Sequence, residues 1–145
     1  MSSIPRINFE KIVRADRERV FDTVTSYGEL HKMLPQYFPS IRVRSRRGNV
    51  AIVEEHMRVA GKELVMMTKH VTDAPRIHEV FVVGGDAKGT HIIERYEQVS
   101  EGTKVTVEAD IKLGGTMKIA GLFGRRKINR DLQGVVDSFA RILED

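Results

Sequence analysis

Five histidines have the widest chemical range in this 145-residue sequence, since imidazole can bind a metal or carry a proton near neutral pH. They are His31, His56, His70, His78 and His91. None lies in a metal-binding spacing such as His-Glu-x-x-His. The trio Glu54-Glu55-His56 falls on a predicted strand, where neighbouring side chains point to opposite faces and cannot converge. We therefore expect no metal site.

His70 is the histidine whose surroundings indicate acid–base chemistry. One face of its predicted strand carries, in alternation, Leu64, Met66, Thr68 and His70. Glu94 and Tyr96 share a face of a later predicted strand, and together the three would form a general acid–base set. The alternatives are a structural histidine held by hydrogen bonds and a Glu94 that faces solvent beside Arg95.

Other catalytic patterns have little support in the sequence. There is no cysteine and no Gly-x-Ser-x-Gly segment, which argues against nucleophilic catalysis. The glycine-rich segment 84–89 lacks the Lys-Ser/Thr ending of a phosphate-binding loop and joins two predicted strands. We interpret this segment as a hairpin loop.

Basic residues form two clusters, against a net charge of +4 from 24 Lys+Arg and 20 Asp+Glu. Arg42, Arg44 and Arg46 alternate on one predicted strand, with Arg47 at its turn. The second cluster lies at the start of a predicted helix and contains Arg125, Arg126, Lys127 and Arg130. These clusters predict either a solvated face or a surface that docks on RNA, a ribosome or an anionic membrane.

The elements that position these residues follow from the apolar periodicity. Residues alternate with period two in seven predicted strands: Ile7–Val13, Ile41–Arg46, Val50–Val59, Glu63–Thr72, Arg76–Val83, Thr90–Val99 and Thr103–Leu113. Two short helices, Asp16–Thr25 and Tyr27–Leu34, follow the first strand. Asp16 is the predicted N-cap of the first, and Ser26 with Glu29 forms a predicted capping box for the second. A long amphipathic helix is predicted over Lys118–Leu143.

This order predicts an α+β fold built as a single domain over residues 1–145. Short turns between the strands require antiparallel neighbours. An amphipathic helix and a sheet with one apolar face each need a partner surface, so we expect a curved seven-stranded sheet wrapped around the C-terminal helix. A curved sheet and a straight helix diverge, which leaves a hollow between them.

The sequence resembles the START/Bet v 1-like helix-grip superfamily, in particular its polyketide cyclase/dehydrase and coenzyme Q-binding branch. The resemblance rests on the segment 20–24 (Val-Phe-Asp-Thr-Val), Tyr27, Leu34-Pro35 and the segment 102–107 before the long helix. It implies a cavity between the sheet and the helix. The predicted lining is Leu34, Met57, Met66, Met67, Phe81, Ile92, Tyr96, Val107, Phe123, Leu132 and Val136.

Three functions are compatible with this resemblance and these residues. The first is a carrier or chaperone that binds a hydrophobic small molecule, such as a lipid, an isoprenoid quinone or a polyketide-like compound. The second is a cyclase or dehydratase that uses the same cavity, with His70, Glu94 and Tyr96 as candidate catalytic residues. The third is a protein that docks through its arginines. We expect no cofactor, and the lack of a long apolar segment or a signal-like start predicts a cytoplasmic protein.

Overall fold

The computed structural model describes residues 6–113 and 117–144, with side chains in the last segment described from residue 124 onward. Within these residues, seven strands and four helical segments follow one another. The strands are β1 (Ile7–Val13), β2 (Ser40–Arg47), β3 (Val50–Val59), β4 (Lys62–Asp73), β5 (Ile77–Gly85), β6 (His91–Val99) and β7 (Gly102–Asp110). The helices are α1 (Arg17–Val24), a 3₁₀ turn (Tyr27–Glu29), α2 (Leu30–Met33) and α3 (Met117–Glu144).

The strands form one antiparallel sheet in the order β1-β7-β6-β5-β4-β3-β2. Every neighbour except β1–β7 is joined by a short turn, as the turn residues predict. Register shifts between Val43 and Ser45 and between Met67 and Thr68 mark bulges, which bend a sheet and increase its twist. The predicted helix-grip α+β architecture, with a curved sheet around a long C-terminal helix, is confirmed.

The two predicted capping interactions differ in the structure. Asp16 is the N-cap residue of α1, but its side chain makes no capping hydrogen bond. The predicted capping box is wrong, because the Ser26 hydroxyl donates to the Asp22 carbonyl at 2.6 Å and makes no cap to the 3₁₀ turn. Ser26 thus bonds back to the end of α1, and the second predicted helix divides into the 3₁₀ turn and the four residues of α2.

Helix α3 is fastened to the sheet at several points along its length. Near its middle, the Asp131 carboxylate accepts a hydrogen bond from the Ala60 backbone N–H at 2.7 Å, in the turn between β3 and β4. Further along, Asp137 pairs with Lys11 of β1 at 3.0 Å. At its end, Glu144 accepts from the Arg14 N–H at 2.9 Å. These polar contacts set the position of α3 over the inner face of the sheet.

Apolar side chains on the inner face of the sheet pack against α1, α2 and α3. Val53, Val105 and Val107 of the sheet join one buried cluster with Phe139 of α3, and Ile128 of α3 joins a second cluster. Among the described residues, no helix is long and apolar enough to cross a membrane.

Candidate functional site

A cavity of about 100 Å³ lies between the inner face of the sheet and α3. Its wall is largely apolar, with contributions from α1, the 3₁₀ turn, α2, α3 and several strands. The lining residues are Phe9, Val24, Tyr27, Leu30, Phe38, Glu55, Met57, His70, His78, Val80, Ile92, Glu94, Val107, Leu132, Val135, Val136 and Phe139. Smaller spaces of about 30 and 70 Å³ share several of these residues, so the hollow under α3 is divided into adjoining compartments.

Four ionisable side chains stand out in this apolar wall, and strand alternation puts them there. His78 of β5 lies opposite Glu94 of β6 in the antiparallel register. His70 of β4 lies opposite Val80, two residues from His78, and is therefore its diagonal neighbour on the same face. Glu55 of β3 projects inward from the next strand. Four consecutive strands thus each contribute one ionisable group to the cavity.

These groups form a continuous hydrogen-bonded chain, which we call the Glu–His–His–Glu chain. Glu55 Oε1 lies 2.7 Å from His70 Nε2. His70 Nδ1 lies 2.9 Å from His78 Nε2, and His78 Nδ1 lies 2.7 Å from Glu94 Oε1. Both ring nitrogens of both histidines are therefore engaged, although both rings are almost fully buried. A buried polar network of this kind is stable only because its members satisfy one another.

Hydroxyl groups complete the two ends of the chain. The Thr68 hydroxyl donates to Glu55 Oε1 at 2.8 Å. The Tyr96 hydroxyl donates to Glu94 Oε1 at 2.6 Å. The Tyr96 ring in turn packs edge-on against Phe21 of α1, with ring centroids 5.3 Å apart.

Tyr27 covers the histidines from the side of the 3₁₀ turn. Its ring centroid lies 4.2 Å from that of His70 and 5.7 Å from that of His78. The Arg46 guanidinium lies over the Tyr27 ring, 5.1 Å from its centroid, and donates to the Thr25 carbonyl at 3.1 Å. The strand β2 therefore reaches the site through one arginine that stacks on the outside of Tyr27.

The surroundings of the two carboxyls favour their charged forms. Burial alone raises the pKa of Glu55, but hydrogen bonding and attraction to His70 and the Thr68 hydrogen bond outweigh it and leave the pKa below its usual value. For Glu94, burial again raises the pKa, but the charge and hydrogen bond of His78 and the Tyr96 hydrogen bond outweigh it and leave the pKa below its usual value. Burial and the neighbouring Glu94 carboxylate raise the pKa of Tyr96 well above its usual value, so Tyr96 serves as a hydroxyl donor.

The chain can both accept and deliver protons at the cavity wall. Imidazole rings joined to carboxylates by short hydrogen bonds are the groups that general acid–base chemistry requires. The same groups can orient a ligand by hydrogen bonds without any reaction. Among the described residues, no cluster of three or more His, Asp and Glu side chains is placed to hold a metal ion.

The structure brings together the three predicted acid–base candidates. His70, Glu94 and Tyr96 all project to the inner side of the sheet, so the alternative in which Glu94 faces solvent is wrong. Glu94 does not contact His70 directly, because His78 lies between them.

The predicted apolar lining residues do not all reach the main cavity. The main cavity is lined by Met57, Ile92, Val107, Leu132 and Val136. The adjoining spaces take Met66 and Tyr96, and Leu34 lies in the core behind the cavity. Phe123 lies outside the residues whose side chains are described.

The predictions for Phe81 and Met67 are wrong. Strand alternation directs Phe81 to the outer face, where its ring stacks on His91 with centroids 4.5 Å apart. Met67 follows the inward Met66 directly and therefore also lies on the outer face.

Sequence reasoning missed Glu55, His78 and Tyr27. The signal for Glu55 was present, since it alternates with the apolar Ala51 and Val53 on β3. His78 likewise alternates with Val80 and Val82 on β5. The trio Glu54-Glu55-His56 does not converge, as predicted, but Glu55 joins partners on other strands instead.

None of the described basic residues lines the cavity, although Arg46 lies over the lining residue Tyr27. Arg42, Arg44 and Arg46 are exposed on β2, an edge strand of the sheet. Arg44 pairs with Glu54 at 3.4 Å. On α3 the predicted basic residues Arg125, Arg126, Lys127 and Arg130 are exposed.

The fold and cavity define the class of protein: a helix-grip protein with an apolar hollow under its C-terminal helix. A family model described as polyketide cyclase / dehydrase and lipid transport matches residues 5–144. The protein belongs to this family, which confirms the resemblance to the START/Bet v 1-like superfamily and its polyketide cyclase/dehydrase members. No curated protein matches the sequence.

Solved structures share the fold at low sequence identity. The protein TTHA0849 from Thermus thermophilus superposes with a TM-score of 0.84 at 16% identity, covering 94% of this chain and 95% of that one. The ZhuI aromatase/cyclase from Streptomyces sp. R1128 gives 0.81 at 11% identity, with 97% and 93% covered. A START superfamily protein from Mycobacterium smegmatis gives 0.81 at 14% identity, with 99% and 98% covered. Identities in this range show a common fold.

Proposed function

We propose that the protein binds a hydrophobic small molecule in the cavity under α3, with the polar end of the ligand at the Glu–His–His–Glu chain. The observation that carries this proposal is a single buried polar wall in an otherwise apolar cavity. Ligand sites typically combine apolar lining with a few polar groups that fix orientation. The family description, which names both cyclase/dehydrase and lipid transport, agrees with a ligand of this kind.

The size of the hollow limits the ligand. The main cavity of about 100 Å³ is smaller than the cavity of about 150 Å³ that takes benzene in another protein. A ligand larger than one ring therefore extends into the adjoining spaces, past Leu132 on one side or Val136 on the other. Burial of its apolar surface supplies affinity at about 25 cal/mol per Å².

Mass spectrometry of an organic extract tests this proposal. The purified native protein is compared with the same protein after heat treatment and refolding. We expect an apolar molecule in near-stoichiometric amount in the native sample alone. Leu132→Phe, which narrows the cavity, should reduce the recovered amount, whereas Ile142→Phe on the exposed side of the same helix should not. Native protein free of ligand and equal recovery from both variants would contradict the proposal.

An acid–base enzyme of the cyclase or dehydratase type is a second candidate. It is favoured by the position of His70, whose ring is hydrogen-bonded to a carboxylate on one side and to a second imidazole on the other. The test uses the molecule recovered from the extract and measures its conversion by chromatography. An enzyme should lose turnover in His70→Ala and Glu94→Gln, whereas a carrier should show no turnover and only a modest loss of affinity.

Docking through the basic residues of α3 remains a prediction of the sequence. Arg125 and Arg126 are exposed and adjacent, which agrees with contact to an anionic surface. Charge reversal at both positions should abolish co-sedimentation with phosphatidylserine vesicles. Unchanged binding would remove this function and leave the cavity proposal intact.

A further inference from the structure

Donor–acceptor matching determines how many protons the Glu–His–His–Glu chain holds. At 2.9 Å, His70 Nδ1 and His78 Nε2 need one proton between them, since two lone pairs or two N–H groups would repel at this distance. The contacts Glu55–His70 and His78–Glu94, each 2.7 Å, likewise take one proton each. The chain thus holds three protons in three hydrogen bonds.

This proton count gives the chain a single net negative charge. Each carboxylate carries one negative charge without a proton, and each imidazole would also carry one if both its nitrogens were stripped. Three protons shared among these four groups leave one negative charge, wherever along the chain each proton sits. The hydroxyls of Thr68 and Tyr96 donate their own protons to the carboxylates and add no charge.

Within the part of the protein whose side chains are described, no cation lines the cavity to balance this charge. Among the described residues, none of those that line the cavity is lysine or arginine. The Arg46 guanidinium, which lies over the Tyr27 ring, belongs to an exposed residue. Its charge is screened by water, whereas the chain lies in a buried, weakly polarisable environment where charges interact strongly.

We infer that the cavity selects ligands by charge: it takes an apolar molecule whose polar end is uncharged or cationic, and it excludes carboxylates and other anions. The inference rests on the proposed function, since it concerns a ligand in the same cavity. A hydroxyl or an ammonium group can donate a hydrogen bond to a carboxylate oxygen of the chain, whose own protons are all engaged. A carboxylate would be buried beside a group of the same sign without a partner.

Three probes with the same alkyl chain separate charge from hydrophobic size. Octanol, octylammonium and octanoate are titrated into the ligand-free protein at pH 7.5 and followed by calorimetry. Octylammonium and octanoate lose a similar hydration free energy on leaving water. The difference between their binding affinities therefore reports the sign of the electrostatic potential in the cavity. We expect octanoate to bind at least about tenfold more weakly than either other probe. The repulsion energy between like charges a few ångströms apart exceeds the free energy of a tenfold change in affinity.

The double variant Glu55→Gln/Glu94→Gln tests the origin of the selectivity. Two amides can donate at one end of the chain and accept at the other, so the chain remains hydrogen-bonded and no longer carries a negative charge. If the charge of the Glu–His–His–Glu chain causes the affinity difference of about tenfold or more in the native protein, the double variant should lose it. Octanoate and octylammonium should then bind with affinities within about threefold of each other. The matched control is Glu79→Gln/Glu108→Gln, which removes two carboxylates from the outer face of the same sheet and should leave the probe ranking unchanged.

The outcomes distinguish this inference from the proposed function. Octanoate that binds as tightly as octylammonium to the native protein would overturn charge selection while supporting a binding cavity. A lack of binding by all three probes would overturn the proposed function, and with it the inference. Selectivity lost equally in the outer-face control would assign the effect to overall charge and contradict the inference. The ranking in the native protein decides the matter even where the double variant does not fold.

Discussion

His70 and His78 lie with their rings nearly parallel, 10° apart, with centroids separated by 5.1 Å and a hydrogen bond of 2.9 Å between Nδ1 and Nε2. The pair links two neighbouring strands on the inner face of the sheet, and each ring is anchored to a glutamate at its other nitrogen. Such a chain cannot lose one member without leaving a buried polar group unpaired. Its stability and its chemistry are therefore coupled.

Glu55→Ala should destabilise the protein strongly. The change removes the carboxylate that pairs with His70 and leaves a buried imidazole nitrogen with only the Thr68 hydroxyl nearby. Breaking a buried pair in this way costs about 3–5 kcal/mol. Glu55→Gln, which keeps the shape and a hydrogen bond, should cost about 1 kcal/mol. Urea unfolding followed by circular dichroism measures both.

The matched control for the alanine variant is Glu79→Ala. Glu79 pairs with His91 at 2.8 Å, but on the outer face of the sheet where both side chains are about one-third exposed. Such partly exposed pairs contribute about 0–1 kcal/mol. Equal losses for Glu55→Ala and Glu79→Ala would show that burial of the inner chain does not matter.

Acid should destabilise the fold through the same two glutamates. The pKa values of Glu55 and Glu94 in the folded protein lie below the ordinary value of 4.5, so the unfolded chain binds protons more readily. The stabilisation is therefore complete well above pH 4.5 and is lost as the pH falls through the folded pKa values. Urea midpoints measured from pH 7 down to about 3 should fall steeply below 4.5. A Glu55→Gln/Glu94→Gln variant with the same steepness would contradict this assignment.

Tyr96→Phe should weaken the Glu94 end of the chain while leaving the packing intact. The phenyl ring keeps its edge-on contact with Phe21, and only the hydroxyl that donates to Glu94 at 2.6 Å is lost. A hydrogen bond to a charged group contributes about 1.5–3 kcal/mol, so a loss of this size is expected in the free energy of unfolding. Loss of this donor should also raise the pKa of Glu94 and shift the acid transition to higher pH. The control is Tyr37→Phe, because Tyr37 lies outside the Glu–His–His–Glu chain. An equal loss of stability in that variant would argue against the prediction.

The sequence predicts the fold far better than the site because the two depend on different information. The alternation along Val50–Val59 and Glu63–Thr72 and the long amphipathic stripe are local patterns, and they determine strands, helix and faces. The contact between His70 and His78 depends on the register of two strands and on side-chain rotamers. Neither is fixed by periodicity, since a shift of one residue reverses every face.

Residues with polar neighbours were the hardest to assign from the sequence. Glu55 lies in a run of charged residues on a half-buried strand. Considered one at a time, each of these residues could face solvent as well as the core. Only its partners Thr68 and His70, on the next strand, show why a carboxylate is stable there. Phe81 gave the opposite error, since an aromatic residue was assigned inward although its strand directs it to the outer face.

Gly134 of α3 provides a test of how the helix is seated beside the cavity. A methyl group at this position would overlap the Tyr37 hydroxyl, which lies against the helix next to the lining residues Val135 and Val136. Gly134→Ala should therefore destabilise the protein by about 1–3 kcal/mol, as overpacking does. In a Tyr37→Ala background the same change should stabilise it by up to about 1 kcal/mol, because alanine is the better helix former. The double-mutant cycle, measured by urea unfolding, thus predicts a reversal of sign. The same sign in both backgrounds would show that Tyr37 does not limit the space at Gly134.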